Sequence, residues 1–226
     1  MHPRRFILLA ASLAVVVLTL PSTFAAEPKR ASTEAKHTPN AAEAVISAYM
    51  GAIRVGDWQK AGKLLHPEAL AEMRQVFVAL TAADPTGQAA KQLFNLGDGE
   101  SLETLPPADV YARFMSALVS QTDGLKDLLA STQVETLGAV SESGGLSHVV
   151  YRLTRTATGQ PPTIQVEVLT VKKAGAEWRS MVPPDVAGIL ASIRSSLAQR
   201  EAMMQQQQQA EPFPQLDLAP EAPPRP

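Results

Sequence analysis

The apolar residues of this 226-residue chain keep two different periods, and the period changes over near Gln133. Upstream they recur in steps of three and four, which puts them on one side of a helix; downstream they alternate, as strand residues do. Helices gathered first and strands gathered afterwards, with short turns between the strands, predict an α+β fold. The expectation is N-terminal helices packed on a curved antiparallel sheet of about four strands, followed by a C-terminal amphipathic helix.

The helical part begins at Asn40, which can accept backbone N–H groups, with Glu43 placed to reach back in a capping arrangement. Ala42, Val45, Ile46, Tyr49, Met50 and Ile53 then form one stripe, and Gly56 stands where a left-handed cap ends a helix. Asp57 can cap a short second helix carrying Trp58, Ala61, Leu64 and Leu65. Pro67 suits the first turn of a third, with Leu70, Met73, Phe77 and Leu80 on its buried side. Further helices are expected over Gln88–Leu96, Pro107–Ser120 and Asp123–Ala130. Strands are expected over Val134–Ser141, Leu146–Thr156, Thr163–Lys173 and Glu177–Val182. Both faces of the middle strands carry aliphatics: Val149, Tyr151 and Leu153 against Leu146 and Val150, then Ile164, Val166 and Val168 against Leu169 and Val171. Both faces therefore call for cover, the second from a partner subunit or from the last helix, marked by Val186, Ile189, Leu190, Ile193 and Leu197.

The ends read differently. Arg4 and Arg5 precede an uncharged apolar run from Phe6 to Leu20, then Pro21 and the small residues Thr23 and Ala25. Residues 1–25 are thus expected to be a secretory signal, since a run of 15 residues falls short of the roughly 20 that span a bilayer. Its removal lowers the formal charge from −2 to −4, leaves no stable membrane span, and points to a periplasmic or secreted protein. Residues 26–39 read as a flexible leader, 40–200 as the folded domain, and 201–226 as a disordered Gln/Pro-rich tail.

Composition excludes several functions. No cysteine is present, so there are no thiolate nucleophiles or zinc–thiolate sites, and the near-neutral charge argues against nucleic acid. Four histidines, two of them at positions 2 and 37, predict no metal cluster. No phosphate loop, dinucleotide fingerprint, His-Glu-x-x-His or Gly-x-Ser-x-Gly is present, so no cofactor is expected. The run Gly97–Glu100 is too short for a calcium loop.

Gly56-Asp57-Trp58, followed by Leu64-Leu65-His66-Pro67, resembles the opening of the NTF2-like (SnoaL-like) superfamily. The order of elements over residues 40–183 is similar to that family's helices wrapped by a curved sheet. The resemblance implies a cone with an apolar hollow. The helical stretch between Glu68 and Ala130 is longer than usual, and four strands are fewer. No family catalytic position matches by motif, so no catalytic role is carried over.

His148, on a strand side shared with Leu146 and Val150, is the sharper of the candidate catalytic residues; as a general base it would have to line the hollow, joined by Tyr151 if the sheet bulges. Covered, it is a satisfied core or interface histidine, the reading the lack of a sequence-adjacent carboxylate favours. Asp57 and His66 read as structural residues at helix junctions. Trp58 and Trp178 are candidates for a ligand-facing wall and otherwise pack. Glu135, Glu167, Arg152, Arg155 and Arg179 read as solvated strand charges. The expectation is an exported, non-catalytic domain that binds a small apolar ligand or an envelope protein, with a homodimer through the sheet face among its partner options. The alternatives are a cofactor-free isomerase or hydrolase using His148 in a cone-shaped pocket, and a scaffold acting through the C-terminal helix and tail.

Overall fold

A computed structural model describes residues 40–97, 99–156 and 161–209. The expected signal segment, the leader, and the tail beyond Gln209 lie outside the described residues. Six helices come first: α1 (Ala41–Val55), α2 (Trp58–Lys63), α3 (Pro67–Ala82), α4 (Gln88–Phe94), α5 (Pro107–Gln121) and α6 (Leu125–Ser131). Strands β1 (Gln133–Glu142), β2 (Leu146–Arg155), β3 (Thr163–Ala174) and β4 (Glu177–Ser180) follow, and then α7 (Pro184–Gln209). The fold is α+β, as the change of period predicts.

The helix boundaries have local causes. The Asn40 side chain accepts from the N–H groups of Ala42 and Glu43 at 2.9 and 3.0 Å, and Gly56 ends α1 at φ 74°. Asp57 accepts from Lys60 N–H at 3.0 Å and starts α2. His66 caps α3, its Nδ1 accepting from Glu68 N–H at 3.2 Å, and Pro67 fills the first helical position. α2 runs so close to α5 that a Cβ on Gly62 would sit 2.8 Å from the carbonyl oxygen of Ala108. Phe77, Phe94 and Phe114 bring α3, α4 and α5 together, with ring centroids 4.5–6.0 Å apart.

The sheet has the order β1-β2-β3-β4, antiparallel throughout, and α1 lies beneath it in contact with each strand. Cross-strand partners Ala139, Val149 and Leu169 share the inner face, as do Ser147 and Val171. Ile46 and Tyr49 of α1 meet Val149, Tyr151, Leu169 and Val171 there, each at most 1% exposed. Burying one such aliphatic is worth about 1.5–3 kcal/mol, so this layer holds helices and sheet together.

Three expectations need correction. The longer aliphatic series of β3 (Ile164, Val166, Val168) is the exposed one, not a second buried face. The last helix does not cover that face: α7 packs on α3, burying Val186, Leu190 and Ile193, with Arg194 paired to Glu72 at 2.7 Å. It also runs on to Gln209, through residues assigned from sequence to the tail. Gln, Met and Ala are good helix formers, and proline does not intervene until Pro212.

Candidate functional site

Alternation along β2 sends neighbouring residues to opposite faces, and the two faces differ in chemistry. The inner one collects all three tyrosines of the chain. Tyr49 of α1 and Tyr111 of α5 place their hydroxyl oxygens 3.0 Å apart, and Tyr151 donates to Glu167 Oε2 at 2.7 Å. Burial pushes the Tyr111 phenol up to about 12. Burial, and then the neighbouring phenol of Tyr111, raises Tyr49 well above the ordinary range. Burial and the Glu167 carboxylate do the same for Tyr151. These phenols stay protonated: Tyr151 donates to Glu167, and one of Tyr49 and Tyr111 donates to the other; a phenolate base is out of reach at neutral pH.

The outer face is open. Its centre is an aliphatic strip: Ile164, Val166 and Val168 of β3 are 62%, 59% and 49% exposed, Val140 and Leu137 of β1 63% and 38%, and Val150 of β2 lies between them. The exposed area of these residues is on the order of 400 Å², as large as the largest patch on most monomers. Charged pairs frame it. Arg152 bonds Glu135 at 2.8 Å, Lys172 bonds Glu68 at 2.6–2.8 Å, and Arg179 bonds Glu177.

His148 belongs to this frame. Its Nε2 lies 3.1 Å from Glu142 Oε1 and its Nδ1 3.0 Å from Thr170 Oγ1. One neutral tautomer meets both contacts: Nε2–H donates to the carboxylate and Nδ1 accepts from the hydroxyl. Thr170 is the direct cross-strand partner of His148, whereas Glu142 reaches it diagonally from the position opposite Leu146. Sequence reasoning missed that carboxylate, although the Ser143-Gly144-Gly145 turn carries the register that delivers it. A carboxylate–imidazole–hydroxyl chain can pass a proton. On this face it lacks an oxyanion site, because β2 and β3 are each paired on both sides and their N–H groups are taken up in the ladders.

His148 and Tyr151 are therefore not brought together. The bulge in the sheet falls between Thr136 and Gly138 of β1, and leaves the facing of β2 unchanged. His148 stands on the face turned away from the helices, not inside a cone. Trp58 opens α2 and Trp178 lies on β4 with Lys173 Nζ 5.4 Å from its ring centre; both are half-buried and pack against the core. His66 is buried, with Nε2 directed at Lys173 O at 3.4 Å. A separate groove of about 350 Å³ lies on α3, lined by Arg74, Gln75, Val78, Ala79 and Glu103, away from either histidine. Among the described residues no group of three or more metal-ligating side chains occurs, and no helix is long and apolar enough to cross a membrane.

No protein-family profile, curated protein or solved structure matches this chain. The geometry of the two faces is thus the basis on which a function is assigned.

Proposed function

We propose that this chain is an exported, non-catalytic binding domain of NTF2-like architecture that works as a homodimer, two copies meeting through their outer sheet faces. The observation that carries the reading is the aliphatic strip of Val140, Val150, Ile164, Val166 and Val168 on the outer face, uncovered by any other element among the described residues. A standard interface buries about 800 Å² per partner, and the strip supplies roughly half of that as apolar core, leaving the paired charges as rim. Those charges support a second copy as occupant. Three of the four acids on the face have a permanent cation beside them and the fourth, Glu142, an imidazole, so few like charges oppose one another when two copies meet. β-branched side chains on two stacked sheets interdigitate well at about 10 Å separation.

The sheet edges favour face-to-face assembly over strand addition. The β4 edge is tied to the α2–α3 junction, where His66 N–H donates to Ser180 O at 2.7 Å and Ser180 N–H donates to Leu64 O at 2.9 Å. The β1 edge carries the bulge at Thr136/Gly138, a device that discourages edge pairing.

Sedimentation equilibrium of residues 26–226 tests this. The wild type should sediment as a dimer at micromolar concentration, and Val166→Glu as a folded monomer. A wild type that stays monomeric, or a Val166→Glu protein that stays dimeric, would remove the reading. Export is tested separately: N-terminal sequencing of protein recovered from a bacterial periplasm should begin at or beside Ala26, and an intact Met1 in the mature protein would argue against it.

One observation favours a second contact, with an envelope protein. α7 continues past its bond from Arg200 to Ala83 O, the C-cap of α3, and leaves Met203 and Met204 exposed. Deleting residues 201–226 should abolish recovery of such a partner while leaving the dimer intact.

A further inference from the structure

Charge bookkeeping on the outer face singles out one pair. Three of its acids sit beside permanent cations: Glu135 beside Arg152, Glu68 beside Lys172, and Glu177 beside Arg179. The fourth, Glu142, sits beside His148. Lys173 does not contribute, since its ammonium lies over the Trp178 ring, and Thr170, the remaining contact of the imidazole, carries no charge. His66 approaches Glu68 at 3.9 Å, but it is buried at the start of α3 behind the Lys172 pair. With a neutral imidazole the face carries one uncompensated negative charge, at Glu142; with an imidazolium it carries none.

The pair lies beside the strip. Val140 is the cross-strand partner of His148 on β1, and Val150 is the next outer-face residue along β2. Sheet-to-sheet contact over the strip therefore dehydrates Glu142 and His148 in part, and together, at the inner edge of the rim. Desolvating a lone carboxylate is costly and desolvating a hydrogen-bonded ion pair less so, and a two-fold axis doubles the difference.

We infer that dimerisation through this face takes up protons at His148, so that the dimer tightens as pH falls across the range in which histidines gain charge. The inference rests on the dimer proposed above and supplies its regulation. Both protonation states keep the contacts within a copy: Nε2–H donates to Glu142 in either, and Thr170 Oγ1 changes from donor to acceptor at Nδ1. The sensitivity therefore belongs to association and not to the fold of the hairpin.

The test is the dimer dissociation constant of the mature chain, measured by sedimentation at pH 8 and pH 5.5 in the same salt. The wild type should bind at least about tenfold tighter at pH 5.5, since up to two protons are taken up per dimer. Glu142→Gln should be tight at pH 8 and weaken, not tighten, at pH 5.5, because the imidazolium then has no carboxylate beside it. His148→Gln should be flat and as weak as the wild type at pH 8. A dimer whose affinity does not change with pH in the wild type, or a His148→Gln protein that keeps the response, overturns this inference and leaves the dimer standing. A chain monomeric at both pH values overturns both.

Discussion

His148 and Tyr151 lie three residues apart on one strand, in surroundings that give them opposite uses. Tyr151 is sealed among the helices, and its hydroxyl joins Tyr49 and Tyr111 in a set of phenols held neutral. A pKa raised in the folded state means that the contribution to stability is complete below the unfolded value near 10 and is lost as pH rises beyond it. Tyrosinate absorbance should therefore appear cooperatively, together with loss of the fold, well above pH 10; a smooth titration centred on 10 in the intact protein would contradict the burial of these groups. Asp84 works at the other end of the scale. Burial opposes its ionisation, but N–H donors from Ala89 and Thr86 and the Thr86 hydroxyl outweigh that and hold it below the usual carboxylate range. Its contribution is present above about pH 4 and declines as pH falls through its folded value. Asp84→Ala should cost about 1–2 kcal/mol by urea titration at pH 7, and the difference from wild type should shrink in acid. At this scale the sequence was legible in part. Period-two alternation separated His148 from Tyr151, but it could not tell which face looks inward. Both faces of β3 read as apolar, and the longer aliphatic series proved to be the exposed one.

Among the elements, the α2–α3 junction carries the most structure per residue. Leu64, Leu65, His66 and Pro67 were legible as a helix break followed by the first turn of a new helix, although the cap at His66 was not. Their pairing with Ser180 was not, because it spans more than a hundred residues and rests on backbone groups that no side-chain pattern announces. Gly62 is a similar case: it reads as an unremarkable small residue, yet Ala108 O leaves no room for a side chain there. Gly62→Ala should lower stability by about 1–3 kcal/mol through overpacking at the α2–α5 crossing, measurable as a lower urea midpoint at unchanged slope. A midpoint equal to wild type would show that the two helices separate freely. α7 divides into two halves. Ile193→Ala, on the half packed against α3, should cost about 2–4 kcal/mol, whereas truncation after Arg200 should leave the melting temperature nearly unchanged. The glutamine run is low in complexity, which reads as tail, yet its residues favour helix and it extends α7 to Gln209.

For the whole molecule, the fold class followed from one change of hydrophobic period, and the working surface came from the outcome of packing. Helix α1 can cover one side of a four-stranded sheet, α7 is engaged by α3, and the other side is left with valines and an isoleucine in water. That arrangement makes stable sense when another surface covers it, and the paired charges around the strip suit a second copy. The chain contains no cysteine, so single cysteines can be placed without background. The most direct test introduces one cysteine at a time at Val140, Val150, Val166 and Val168, with Gln59→Cys on α2 as control, and follows disulfide-linked dimer under mild oxidation. Rapid cross-linking confined to the sheet positions is the predicted result. Cross-linking at Gln59→Cys as fast as at any of the four, or none at all on the strip, would contradict the claim that two copies meet there.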